Sequence, residues 1–248
     1  MTLDYELTSS RPKQIGLIVL QADETLERDL RLLLPNDLEF LVSRVPSATS
    51  VSRENLQAMA NELTQAASLL PVGANLSAVG YGCTSGTAQI GAAHIASLIQ
   101  AGIQTPTVTE PVSALIAACA HLGVTRIGLI SPYVASVSDQ LRVVLADAGI
   151  RVTHFASFEE PTEERVVRIS PDSITAAAIA MGDAEDCEAV FLSCTNLRTL
   201  DVIAQITTQI EKPVLSSNQV LAWHLCRLLD VVPQQPQFGR LFDPAAGR

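Results

Sequence analysis

The sequence predicts an α/β protein of two pseudo-symmetric lobes, each a parallel sheet flanked by helices, with an active site in the inter-lobe cleft. Three observations predict this: short apolar runs alternate with helical stretches, the pattern restarts halfway, and each half carries a matching cysteine turn. Of the 248 residues, 48% are hydrophobic but only 4% aromatic. The interior is therefore mostly Ala, Val, Leu and Ile, the composition of parallel strands covered on both faces.

The first strand is read from the apolar run Gln14 to Leu20, followed by a turn at Gln21 to Thr25 and a helix from Leu26 that Pro35 stops. Leu38 to Arg44 reads as the second strand. Asn55 to Leu70 has helical spacing, ended by Pro71 and Gly73. A third strand, Leu76 to Gly82, runs into Cys83, and a helix rich in small residues covers Thr87 to Ala101. Thr105 to Thr109 is a brief fourth strand, and Val112 to His121 a helix closed by Gly123.

At Arg126 the pattern begins again. Gln14-Ile15-Gly16-Leu17-Ile18 is echoed by Arg126-Ile127-Gly128-Leu129-Ile130, 112 positions later, and Cys83 by Cys194, 111 positions later. Thr105-Pro106-Thr107-Val108 before a helix is echoed by Lys212-Pro213-Val214-Leu215 before another. The expected division is a first lobe of 14–111 completed by the C-terminal segment 216–248, and a second lobe of 112–215. The strands' carboxyl ends are expected to face the cleft, where α/β sheets bind ligands. The tail from Val231, with Pro233, Pro236, Gly239 and Pro244, is expected to pack loosely.

A net charge of −10 argues against a nucleic-acid partner. No apolar stretch reaches the roughly 18–20 residues a membrane span needs, and the N-terminus lacks a secretory pattern. Five cysteines without CxxC spacing fit a reduced, cytoplasmic protein with no structural zinc. There is no phosphate loop or GxGxxG motif, so no cofactor is expected.

Cys83 and Cys194 each end an apolar run and are each followed by a polar pair, Thr84-Ser85 and Thr195-Asn196. These pairs predict that each thiol also opens a helix, where exposed N–H groups favour a thiolate and an anionic ligand. A lone cysteine is often just a small buried hydrophobe, but a repeat-related pair at two strand ends points to chemistry. One thiolate would take a proton from a carbon, or add to it, while the opposite thiol serves the other face. Cys119 and Cys226 read as structural, and Cys187, in an acidic loop, as inert. Asp23 and Glu24 follow the first strand at the same rim. Tyr133 occupies the equivalent turn of the second half, and Ser217-Asn218 lies at another strand-end turn. His94, His121, His154 and His224 gather with no carboxylates into a metal set.

On these residues the chain resembles the aspartate/glutamate racemase superfamily, in the branch of maleate cis-trans isomerases, arylmalonate decarboxylases and ectoine-utilisation racemase-like proteins. The resemblance runs from Ile15 to about Leu229. Its carriers are Gly16-Leu17-Ile18-Val19 with Glu27, Cys83-Thr84-Ser85, Ser131-Pro132-Tyr133, Ser193-Cys194-Thr195-Asn196 and Ser216-Ser217-Asn218-Gln219. It implies catalytic roles for Cys83 and Cys194, carboxylate binding by Thr84, Ser85, Thr195 and Asn196, a pocket tyrosine at Tyr133, and a homodimer. Arylmalonate decarboxylases carry glycine in place of Cys83. Maleate isomerases carry asparagine in place of Asp23, whose carboxylate would repel a second substrate carboxylate and welcome an ammonium group. The expected function is thus a cofactor-independent isomerase of a small carboxylate, foremost a racemase or epimerase of an amino acid or related compound. A maleate-type cis-trans isomerase and a non-catalytic small-molecule binder are the alternatives.

Overall fold

A computed structural model describes residues 1–8, 10–233 and 236–243. The first half forms β1 (Lys13–Leu20), α1 (Leu26–Leu33), β2 (Leu38–Val45), α2 (Arg53–Ala58), α3 (Ala60–Ser68), β3 (Leu76–Gly82), α4 (Thr84–Ile90), α5 (Ala92–Gly102), β4 (Val108–Thr109) and α6 (Pro111–Leu122). The second half forms β5 (Arg126–Ser131), α7 (Ala135–Asp147), β6 (Arg151–Ser157), α8 (Glu163–Val166), α9 (Pro171–Gly182), β7 (Ala189–Leu192), α10 (Ile203–Ile210), β8 (Val214–Ser216) and α11 (Ser217–Leu228). The strand orders are β2-β1-β3-β4 and β6-β5-β7-β8, with every neighbouring pair parallel. The sequence repeat is therefore a repeat of topology, and equivalent strands end at equivalent places.

Both faces of each sheet are covered. Ile15, Leu17 and Val19 of β1 join one apolar cluster and Ile18 and Leu20 another, as the two-residue period of a strand requires. Each cluster runs through both halves. One contains Ile15 and Ile127 with Leu115 and Leu225, the other Tyr81 and Cys83 with Tyr133 and Cys194. Helix α11 follows the last strand of the second sheet but packs beside β3 of the first. Gly80 faces it there, and a Cβ at that position would lie 3.4 Å from Leu225 and 3.7 Å from Leu221, at ordinary contact distance. Helix α11 also lies alongside α6 and α1, joining the halves by apolar burial.

Several elements differ from the sequence reading. The helical stretch 55–70 divides at Met59 into α2 and α3, and 87–101 divides at Gly91, whose φ of 92° no continuous helix allows. Pro111 opens α6 with the Glu110 carboxylate capping its first amides, and Gly123 closes it at φ 69°. The tail packs more firmly than composition implied. Leu241 and Phe242 are buried, and Gln219 of α11 donates to the Phe238 carbonyl. Pro244 lies outside the described residues. Among the described residues no helix is long and apolar enough to cross a membrane.

Candidate active site

The carboxyl ends of β1, β3, β5 and β7 converge between the lobes. Asp23, Cys83, Thr84, Ser85, Tyr133, Cys194, Thr195 and Asn196 are each no more than 5% exposed there. Hydrogen bonds tie several of them together: Thr84 and the Cys194 N–H to Ser217, Tyr133 and the Asn196 N–H to the Cys194 sulfur, and Thr195 to the Gly82 carbonyl. Glu24 joins through its backbone alone, donating to Asn196 Oδ1 at 2.9 Å.

Cys83 caps α4, as its sequence position predicts. Its backbone is extended (φ −153°), and Sγ accepts the Gly86 N–H at 3.1 Å. Gly86 is glycine for a steric reason: a methyl there would stand 2.8 Å from both Cys83 Sγ and the Tyr81 hydroxyl. Cys194 does not open a helix, contrary to the sequence reading. Its φ is 126°, and the chain stays irregular until α10 begins at Ile203. Its backbone needs other partners in consequence. The Cys194 N–H donates to Ser217 Oγ at 2.9 Å, and that same hydroxyl lies 2.7 Å from Thr84 Oγ1. Ser217, at the start of α11, thus ties one cysteine turn to the other.

The Cys194 sulfur accepts the Asn196 N–H at 3.3 Å and lies 2.9 Å from the Tyr133 hydroxyl. That hydroxyl donates to Glu163 Oε1 at 2.7 Å, while Glu163 Oε2 accepts Asn196 Nδ2 at 3.0 Å. Glu163 is a site residue the sequence reading missed. It stands in Pro161-Thr162-Glu163-Glu164, where either glutamate suits the start of a short helix, and only the fold turns Glu163 inward. Backbone pairing brings it there: Glu163 N–H donates to the Thr49 carbonyl and Val51 N–H to the Pro161 carbonyl, so a first-half loop holds this turn over the site.

Asp23 Oδ1 accepts the N–H groups of Thr25 and Leu26, each at 2.8 Å, at the start of α1. Oδ2 is buried without a hydrogen-bond partner. The Thr195 side chain lies beside this carboxyl, but its hydroxyl donates to the Gly82 carbonyl at 3.2 Å. Asn218, also noted from sequence, turns away from the sulfurs and donates to Asp29 and the Thr195 carbonyl.

Burial governs the electrostatics. It pushes the Cys83 thiol up to about 12, against the pull of the Gly86 N–H, with the Glu163 charge adding to the rise. Cys194 is likewise pushed well up, by burial first and then by Glu163, opposed by Tyr133 and Asn196. The helix-terminus effect expected to favour thiolates is therefore outweighed in this closed arrangement. Burial also raises both acids, Glu163 and Asp23, against their own hydrogen bonds. Both sulfurs respond to the charges of Glu163 and Asp23, as one compact cluster must.

The remaining cysteines play no part here. Cys119 and Cys226 are fully buried, each raised to about 12 by burial, and Cys187 donates to the Ala189 carbonyl.

The chain is 29% identical to the arylmalonate decarboxylase of Bordetella bronchiseptica over 92% of its length and 96% of that protein's. It is 25% identical to the maleate isomerase of Pseudomonas putida KT2440, covering 94% of this chain and 98% of the relative. The crystal structure of the maleate isomerase Iso from Pseudomonas putida S16 superposes with a TM-score of 0.84, at 22% identity, over 94% of this chain and 99% of that one. The family model described as arylmalonate decarboxylase matches residues 15–242, nearly the whole chain, and the protein belongs to that family.

Proposed function

We propose that this protein is a cofactor-independent isomerase in which Cys83 and Cys194 act on one small carboxylate, and that the reaction is a cis-trans isomerisation through thiolate addition. The observation that carries this reading is the contact between the Tyr133 hydroxyl and Cys194 Sγ, 2.9 Å apart, in the same buried cluster as Cys83. In this reading the thiol on Tyr133 exchanges a proton, and the second thiol of the cluster attacks. The similarity to maleate isomerases along the whole chain supports the same choice.

Cys83 suits the nucleophile. The Gly86 N–H is already aimed at its sulfur, where it lowers the cost of a thiolate against the rise that burial imposes. Its thiolate forms an S–C bond at one alkene carbon, and the π pair moves onto the neighbouring carbon and that carbon's carboxylate. The substrate carboxylates and the developing enediolate would be held at the two cysteine turns by Thr84 and Ser85 at the start of α4 and by Thr195 and Asn196, the last two exchanging their present protein partners for the substrate. With the double bond gone, the central bond rotates. Cys194 gives a proton to the carbanion and takes it back. The pair then re-forms the double bond, and the S–C bond breaks to release the trans product and the thiolate.

Asp23 does not oppose a dicarboxylate in this reading. Its Oδ1 is engaged with the α1 amides, and burial raises its pKa, so in neutral form its free oxygen can donate to a substrate carboxylate instead of repelling it. A second reading, racemisation of a small amino acid, draws on two buried carboxyls near the thiols, Asp23 and Glu163, which could hold an ammonium group if its charge kept them ionised against the rise that burial imposes.

Incubation in deuterium oxide, followed by NMR, separates the readings. Cis-trans isomerisation converts maleate to fumarate with no obligatory loss of a substrate hydrogen. Racemisation of a panel of D- and L-amino acids places deuterium at the α-carbon on each inversion. Turnover that survives in both Cys83→Ser and Cys194→Ser would sink both readings.

A further inference from the structure

We propose that Glu163 is the proton-carrying partner of Cys194, acting through the hydroxyl of Tyr133. The geometry is a closed ring of hydrogen bonds. Cys194 Sγ meets the Tyr133 hydroxyl at 2.9 Å, that hydroxyl meets Glu163 Oε1 at 2.7 Å, Asn196 Nδ2 meets Glu163 Oε2 at 3.0 Å, and the Asn196 N–H returns to Cys194 Sγ at 3.3 Å. Asn196 thereby fixes the carboxyl plane, and among the described residues the tyrosine hydroxyl is what bridges the sulfur and the carboxyl.

Tyr133 has one hydroxyl hydrogen. When it donates to Glu163, the Cys194 S–H must donate to the tyrosine oxygen. As the thiol proton moves to that oxygen, the tyrosine proton moves to Glu163: an S–H and an O–H bond break, and two O–H bonds form. The negative charge has passed from carboxylate to sulfur, and the buried site has gained none. Creating a fresh charge there carries a large desolvation cost, whereas relocating one avoids most of it. In the opposite direction, Glu163 restores a proton to Cys194 after the thiol has protonated a substrate carbon. The inference rests on the reading above only in taking Cys194 as a thiol that exchanges a proton with substrate, and it serves either reaction.

Burial supports the assignment, because it raises Glu163 toward the proton affinity a thiol partner needs. The titratable groups facing the ring are Asp23 from the turn after β1 and Cys83 at the start of α4, and the Asp23 charge raises Glu163 and Cys194 alike.

Glu163→Gln keeps an amide that can donate to Tyr133 and a carbonyl that can accept from Asn196, but it cannot carry the proton. Ultraviolet titration of thiolate in a Cys83→Ser background, with Cys83→Ser/Cys194→Ser subtracted, isolates Cys194 without any substrate. Glu163→Gln is expected to move that titration to lower pH, because a neighbouring negative charge is gone. With Cys83 intact, the same substitution is expected to lower kcat roughly tenfold or more with little change in KM. Electrostatics alone predicts the reverse, an easier thiolate and faster turnover. Tyr133→Phe, which cuts the ring but leaves the Glu163 charge, should lower kcat similarly while moving the Cys194 titration upward. An unchanged Cys194 titration in Glu163→Gln overturns the inference whatever the substrate is, as does undiminished kcat. Turnover that survives Cys194→Ser would instead sink the functional reading and leave the titration result standing.

Discussion

The two cysteine turns occupy equivalent strand ends, yet they are built differently. Cys83 passes from β3 straight into α4, with an extended backbone and a helix amide on its sulfur. Tyr81, from the same strand, lies beside it, and the buried carboxylate that acts on Tyr81, Glu110, is engaged in capping α6 at 2.7 Å from the Val112 N–H. Cys194 has left-handed backbone, no helix behind it, and a tyrosine from the turn after β5 on its sulfur. Its buried carboxylate, Glu163, caps nothing and faces that tyrosine. A shared topology places both thiols, and on the proposed reading the local chain then fits one for attack and the other for moving protons.

Replacing either thiol by serine makes the largest difference. Each variant should lose on the order of 10³-fold or more in kcat, because a hydroxyl is a far poorer nucleophile and proton donor. The comparison sharpens in the residual chemistry. Cys194→Ser keeps the attacking sulfur and should accumulate a covalent substrate adduct visible by intact-protein mass spectrometry, whereas Cys83→Ser should form none. An adduct in Cys83→Ser alone would reverse the two roles.

Alkylation without ligand probes the same contrast. A thiol raised from 9.0 to about 12 has a thiolate population about 10³-fold lower at neutral pH. Its reaction with iodoacetamide should be slower by a similar factor than that of a free cysteine, and it should accelerate as pH rises toward the raised value. Cys194, also raised by burial, should likewise label slowly. Peptide mapping gives both rates, and labelling of Cys83 as fast as free cysteine would contradict the closed, buried site.

The difference between the turns was only half legible in the sequence. The repeat at offsets of 111 and 112 announced the strands, because a parallel strand covered on both faces leaves an unbroken apolar run. Asp23, Tyr133 and the Thr-Ser and Thr-Asn pairs could be located for the same reason: they follow strand ends that were themselves recognisable. Glu163 could not, because it reaches the site from a four-residue helix held by Thr49 and Val51, which are more than a hundred residues away in the chain. Nor could the backbone of Cys194. Thr195-Asn196 reads as a helix start, but Asn196 is occupied with Glu24, Thr25 and Glu163, and the chain is drawn across the cleft instead of into a helix.

Crowding the first turn alone should separate its role from that of the second. Gly86→Ala would place a methyl 2.8 Å from Cys83 Sγ and 2.9 Å from Met59 Cε. A displaced nucleophile should cost about 10²-fold in kcat/KM, while the Cys194 titration stays where it is. Wild-type rates in this variant would mean that the Cys83 sulfur does not work from the position seen here.

The smallest expected effect concerns the link between the turns. Ser217 Oγ accepts the Cys194 N–H at 2.9 Å and meets Thr84 Oγ1 at 2.7 Å, so Ser217→Ala strands a buried N–H and a buried hydroxyl together. Losing such a partner costs about 1–3 kcal/mol, or a fall in Tm of about 2–4 °C per kcal/mol for a chain of this size. The activity of the folded fraction should drop as well, because the left-handed turn at Cys194 loses the bond that holds its N–H. Ser217→Thr, which keeps the oxygen, should recover most of both losses. If Ser217→Ala instead melts like the wild type, the Cys194 N–H has found another partner, and the two turns are held in register by the α6–α11 packing without this hydroxyl.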